Sequence, residues 1–148
     1  MQTLTFAPCQ LPVSAKLHNL INQVLQTCDA EEDEKQPSSL MLKFRDKSYS
    51  VKNGGYHPVE ILIQKNQDGT WRFTNITELA YYGQDIVTNI DFNFEEANFK
   101  SFPLPRLSME KEAYEAKSLY HLWEKNFCAY ASMKVFDQIE VEFYGCTK

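Results

Sequence analysis

Residues 44–60 read FRDKSYSVKNGGYHPVE and gather more chemically capable side chains than any other stretch of the chain. A tyrosine, a histidine and a glutamate close in sequence can exchange protons with a ligand or donate and accept hydrogen bonds. Tyr49, Tyr56, His57 and Glu60 are therefore candidate contacts for a ligand or a partner. Gly54 and Gly55 permit positive φ or close backbone approach, and Pro58 biases His57 towards an extended conformation. The same residues also read as a purely structural loop, in which Gly54, Gly55 and Pro58 turn the chain, Tyr56 covers a core edge and His57 caps a strand. The glycine pair is no phosphate loop, because neither G-x-G-x-x-G nor G-K-[ST] follows it. No nucleophile–base spacing accompanies the run, so no catalytic residue is assigned.

Chemistry elsewhere is sparser. His18, His57 and His121 fall on three separate segments with no H-x-x-x-H or H-E-x-x-H pattern, and no metal is expected. His121 and Cys128 share a helix face, but two turns separate them by about 10 Å, too far for a thiol–imidazole hydrogen bond. Glu140 and Glu142 share a strand face, an ordinary arrangement on a solvated strand. The cysteines at 9, 28, 128 and 146 form no C-x-x-C pair. Residues 1–8 lack the basic and apolar regions of a secretory signal, so free thiols and a cytoplasmic location are expected.

The chain has 148 residues, one domain (1–148) by length, with enough mass to bury a core without a metal or disulfide. Its net charge of −5 argues against binding a phosphate backbone, which needs clustered Lys and Arg. Aromatic residues are plentiful, but the aromatic strand around Phe92 is flanked by Asp91, Glu95 and Glu96, so no single-stranded nucleic-acid platform is expected. No apolar run approaches a membrane span. No cofactor signature is present.

Periodicity sets the scaffold around the candidates. Leu17, Leu20, Ile21, Val24, Leu25 and Cys28 form one helical stripe over residues 14–28, capped by Ser14. The run Asp29-Ala30-Glu31-Glu32-Asp33-Glu34 repels itself and reads as a solvated loop. Residues 40–44 and 59–64 are strands, and Asn66–Gly69 is the turn of a hairpin returning through Trp71. The apolar phase slips between Phe73 and Ile76 and again by Leu79, which predicts a β-bulge or strand break near Asn75. Ile90, Phe92 and Phe94 mark a further strand, and residues 95–108, with Pro103 and Pro105, read as a connector. A long helix over about 110–135 carries Ala116, Leu119, Tyr120, Trp123, Phe127, Tyr130 and Ala131 on its apolar face, with Lys111, Glu115, Glu124 and Lys125 pointing away. A last strand alternates Ile139, Val141 and Phe143 with Glu140, Glu142 and Tyr144. The class is α+β: an antiparallel sheet flanked by an N-terminal and a long C-terminal helix, with the last strand returning to the sheet.

The run F-R-D-x-S-Y-S-x-x-x-G-G-Y-H-P-V-E-I from Phe44 to Ile61 resembles a bacterial family defined only as domain of unknown function 2787. The segment Leu122–Phe127 and the ending Ile139–Glu142 also resemble it. That family is similar in fold to the acidic mitochondrial-matrix glycoproteins, which form ring-shaped trimers and bind diverse proteins. The resemblance implies a sheet between two helices, and a homo-oligomer, a trimer, as one possible assembly. It supplies no catalytic residues. The leading expectation is a non-enzymatic protein-binding or assembly module with an unnamed protein partner. The alternative is a small-molecule-binding protein or enzyme that uses the Gly54-Gly55-Tyr56-His57 loop.

Overall fold

A computed structural model describes residues 2–27 and 36–145. The acidic run 29–34, Cys28 and Cys146 lie outside the described residues. Helix α1 (Ala15–Gln26) opens on Ser14, whose hydroxyl accepts from the Lys16 N–H. Its buried side chains are Leu17, Ile21, Val24 and Leu25, four members of the predicted stripe, and Leu20 is half-buried. The strands follow as β1 (Ser39–Arg45), β2 (Val59–Lys65), β3 (Trp71–Tyr82) and β4 (Asp85–Asn93). Next come β5 (Asn98–Ser101), β6 (Leu107–Ser108), helix α2 (Ala113–Ser132) and β7 (Gln138–Tyr144).

All seven strands pair antiparallel in one sheet of order β6-β5-β4-β3-β2-β1-β7. The last strand therefore returns beside the first. Two expectations need correction. Residues 95–108 are not a bare connector, because β5 and β6 lie within them; Phe99 packs inward opposite Phe92 despite the nearby prolines. The strand read from Ile90 starts earlier, at Asp85, and pairs with the end of β3 as far as Tyr82.

Both helices lie on one face of the sheet. Leu42, Ile61, Ile76, Phe92 and Phe99 form a cross-strand inward row, and Ala116, Tyr120, Trp123 and Phe127 of α2 join α1 in the same buried cluster. Aromatic edges meet faces inside it: Phe44 with Phe127 at 5.0 Å, and Phe92 with Tyr120 at 5.2 Å. Of the residues expected in the core, Val59, Ile61, Phe92, Trp123 and Phe127 are buried, while Val141 is half-buried at the sheet edge.

Two irregularities interrupt the ladder. Leu62 faces Asn75 while Ile63 faces Phe73, so Thr74 is an extra residue, a bulge where the phase slip predicts one. Glu78 faces Ile90 while Leu79 faces Thr88, which leaves Asn89 as the extra residue of β4.

Candidate functional site

Asp46 builds the loop between β1 and β2. Its Oδ1 accepts from the Ser48 hydroxyl at 2.6 Å and the Ser48 N–H at 3.0 Å, and its Oδ2 accepts from the Tyr56 N–H at 3.1 Å. The Ser48 hydroxyl first, then these backbone donors, hold the carboxyl below its ordinary value. Ser50 and Gly54 exchange backbone hydrogen bonds, and the chain turns through φ of +68° at Gly54 and +130° at Gly55. A Cβ at Gly55 would stand 2.8 Å from the Asp46 carboxylate and 3.0 Å from the Tyr49 backbone, so this turn requires glycine. Lys47 N–H donates to Asp137, which ties the loop to the segment after α2.

The turn delivers Tyr56 and His57 to the side of α2. The Tyr56 ring packs on Tyr130 at 4.9 Å. Nδ1 of His57 lies 3.0 Å from Oε2 of Glu78, and the Asn89 amide donates to the same oxygen at 2.8 Å. A carboxylate only accepts, so Nδ1 carries the proton of this bond, and in the neutral tautomer this leaves Nε2 as an acceptor. Glu78 reaches the inward face because the bulge at Thr74 shifts the strand by one residue, and Asn89 is itself the extra residue of the second bulge.

Beside this relay lies a cavity of about 350 Å³, at the small end of ligand sites. Its polar lining includes His57, Glu78 and Asn126, and its apolar walls include Ile90, Leu119, Trp123, Phe127 and Phe136. Trp123 is buried, and its indole N–H finds no acceptor among the described residues. Leu122 also lines the cavity and is 56% exposed.

The structure thus brings together only part of the candidate set. Tyr56, His57 and Gly55 line the cavity. Tyr49 is not part of the lining; its ring is 5.3 Å from that of His57 and its hydroxyl accepts from the Tyr81 N–H at 2.7 Å. Glu60 points to the opposite sheet face, opposite Lys43 and Thr77. Gly54 and Pro58 shape the loop, and the Pro58 carbonyl accepts from Leu79. Sequence reasoning missed Glu78, Asn89 and Asn126. The phase slip along β3 was the available signal for Glu78.

A second polar cluster overturns an expectation. Glu124 does not point away but is buried, where it accepts from the Ser14 N–H at 3.0 Å, from the Ser14 hydroxyl and from the Tyr120 hydroxyl at 2.6 Å. Burial and the bond to Glu124 push the Tyr120 phenol far above its ordinary value. Burial, then Glu124, pushes the Cys128 thiol up to about 11, and burial raises Cys9 as well. Both are free thiols, and such shifts make them poor nucleophiles. His18 stacks on Phe6 at 4.5 Å, and burial lowers its pKa. His121 is exposed on α2. Among the described residues no group of three His, Cys, Asp or Glu is placed to hold a metal, and no helix is long and apolar enough to cross a membrane.

An open antiparallel sheet with both helices on one face defines a class of fold that solved structures share. The hypothetical protein VC0508 from the VSP-II pathogenicity island of Vibrio cholerae is 38% identical, with a TM-score of 0.86 over 95% of this chain and 99% of its own. VC1805, from pathogenicity island VPI-2 of Vibrio cholerae O1 biovar eltor, is 33% identical, with a TM-score of 0.81 over 93% and 99%. VC1805 shares structural homology with the human P32 protein, so the mitochondrial-glycoprotein-like fold expected from the central run is found. The sequence matches the family of proteins of unknown function DUF2787 over residues 15–142, and the chain belongs to that family. No curated protein matches it.

Proposed function

We propose that this protein is a non-enzymatic binding protein whose site is the cavity between α2 and the 55–57 loop. It takes a small apolar molecule with one polar group at the His57 end. The observation that carries this reading is the His57–Glu78–Asn89 relay opening onto an apolar cavity. Two strand irregularities and a loop with two positive-φ glycines aim three polar side chains at one place. A fold needs none of that merely to close a core. No Ser, Thr, Cys or Lys lines the cavity beside the relay; among the described residues His57 hydrogen-bonds only Glu78, and the nearby Tyr49 hydroxyl is engaged by Tyr81. Binding without turnover is therefore favoured over hydrolysis. A cytoplasmic location and a homo-oligomer are compatible with this reading.

The test is amide chemical-shift mapping with phenol, benzoate and benzylamine as probes. Saturable shifts centred on Tyr56, His57, Glu78, Asn126 and Phe127, weakened in His57→Gln, support the proposal. Shifts scattered over the surface, or no saturation with any probe, overturn it. Turnover of ester substrates that disappears in His57→Gln would replace it with an enzymatic reading.

A further inference from the structure

The two edges of the sheet are unlike. On one side it ends in β6, two residues long, with Pro103 and Pro105 shortly before it. Short strands and prolines are the usual means by which an edge is closed to further pairing. On the other side it ends in β7, seven residues long, free of proline and paired in unbroken register with β1 from Gln138 to Tyr144. Among the described residues the far edge of β7 has no strand beside it. Its inward side chains, Ile139, Val141 and Phe143, are only partly covered, with Ile139 44% exposed.

The charge on β7 decides what such an edge can accept. Glu140 and Glu142 alternate with the apolar residues on the uncovered sheet face, and β7 itself carries no Lys or Arg. Lys43 of β1 bonds Glu142 at 3.1 Å and lies opposite Glu140. A second copy pairing β7 with β7 about a twofold axis must keep matching faces together. Every such register through the strand centre sets Glu140 against Glu142, or one of these glutamates against itself. Like charges directly opposite destabilise a strand pair. A strand that alternates Lys or Arg with apolar residues removes that repulsion, meets both carboxylates and covers Ile139, Val141 and Phe143 on the inward side. We propose that the free edge of β7 is a strand-addition site for an extended, basic–apolar alternating segment of a partner protein. This surface is independent of the cavity, and the proposal stands or falls separately from it.

The test uses three dye-labelled peptides on the intact protein: Lys-Val-Lys-Val-Lys-Val-Lys, its Glu-for-Lys counterpart, and the basic peptide with its central Val replaced by Pro. The basic peptide should bind at least about tenfold more tightly than the acidic one. It should also slow amide exchange along Gln138–Tyr144. The double variant Glu140→Lys, Glu142→Lys should reverse the preference. Equal binding of the basic and acidic peptides overturns the proposal, as does a preference that survives the double variant. Undiminished binding of the proline peptide overturns it too, since adsorption to charge needs no backbone pairing. Unchanged exchange in β7 would place the peptide elsewhere and have the same consequence.

Discussion

Glu78 and His57 meet at 3.0 Å only because β3 carries an extra residue four positions before Glu78. In an unbulged strand, Trp71 and Phe73 would share their face with Asn75 and Thr77, and Glu78 would face the side of Asp91. The carboxylate then fixes the imidazole by accepting from Nδ1, so that the neutral ring takes the Nδ1–H tautomer. Removing it in Glu78→Ala should let the neutral ring relax towards the Nε2–H form. Nitrogen-15 shifts of the His57 ring in the two proteins measure this, and an unchanged tautomer would mean that Glu78 does not orient the ring.

Gly55→Val should destabilise the fold by roughly 1–3 kcal/mol, the range for a residue forced into a sparsely populated conformation. The added side chain also meets Asp46 and the Tyr49 backbone. Gly54→Ala, with open space around its position at φ +68°, should cost about 1–2 kcal/mol, the penalty for the left-handed region alone. Urea titrations of both variants give the order. Equal losses would show that the contact with Asp46 contributes nothing.

Asp46 also sets a pH dependence. Its carboxyl is held below the ordinary value of 3.8 by donors that exist only in the folded chain. The unfolded state therefore binds more protons in the acid range, and stability conferred by Asp46 is present above the ordinary value and lost as pH falls through the lower folded one. Asp46→Asn should remove that part of the slope. Stability measured in urea from neutral pH down into the acid range checks it, and identical slopes would show that Asp46 is not tied to the loop.

Ser14 and Glu124 lie 110 residues apart in sequence and join the start of α1 to α2. Glu124→Leu strands the Ser14 and Tyr120 donors and should cost roughly 3 kcal/mol, the scale of hydrogen bonds to a charged acceptor. Ser14→Ala should lose about 1 kcal/mol as a cap. The double variant should show a coupling of about 0.5–3 kcal/mol. Additive losses would mean that the two residues act separately. Phe127→Ala, which opens space among Phe44, Trp123 and Phe136, should cost about 3–5 kcal/mol in the same titration.

Much of this architecture is legible in the residues. The stripe of α1, the Ser14 cap, the alternation of β2 and β7 and the slip between Phe73 and Ile76 each report a local rule, and each has its counterpart in the structure. Legibility fails where one residue depends on a distant one. Glu124 sits four residues after Tyr120 on the inward side of α2, a spacing that favours burial, but its charge argues for solvent until Ser14 is placed beside it. Glu60 is grouped with His57 as a candidate contact because they lie close in sequence, yet strand alternation sends it to the other face. Glu78 supplies the carboxylate instead, from the neighbouring strand, through a bulge whose presence the slip announces without saying which side chains it re-aims. β5 was hidden by Pro103 and Pro105, which lie just beyond it and leave its pairing with β4 intact.

The cavity itself is tested most directly by filling it. In a Trp71→Phe background, Trp123 is the one remaining tryptophan, and its fluorescence reports on the cavity wall. Leu122→Trp would add a second fluorophore, so Leu122→Phe is the better plug, at a lining residue exposed enough to accept the extra bulk. Titration with phenol should then give a saturable change in Trp123 emission, with affinity at least about tenfold weaker in Leu122→Phe and in His57→Gln, about 1.4 kcal/mol each. A linear, unsaturable response, or binding of equal strength in the plugged protein, would contradict a ligand site beneath α2.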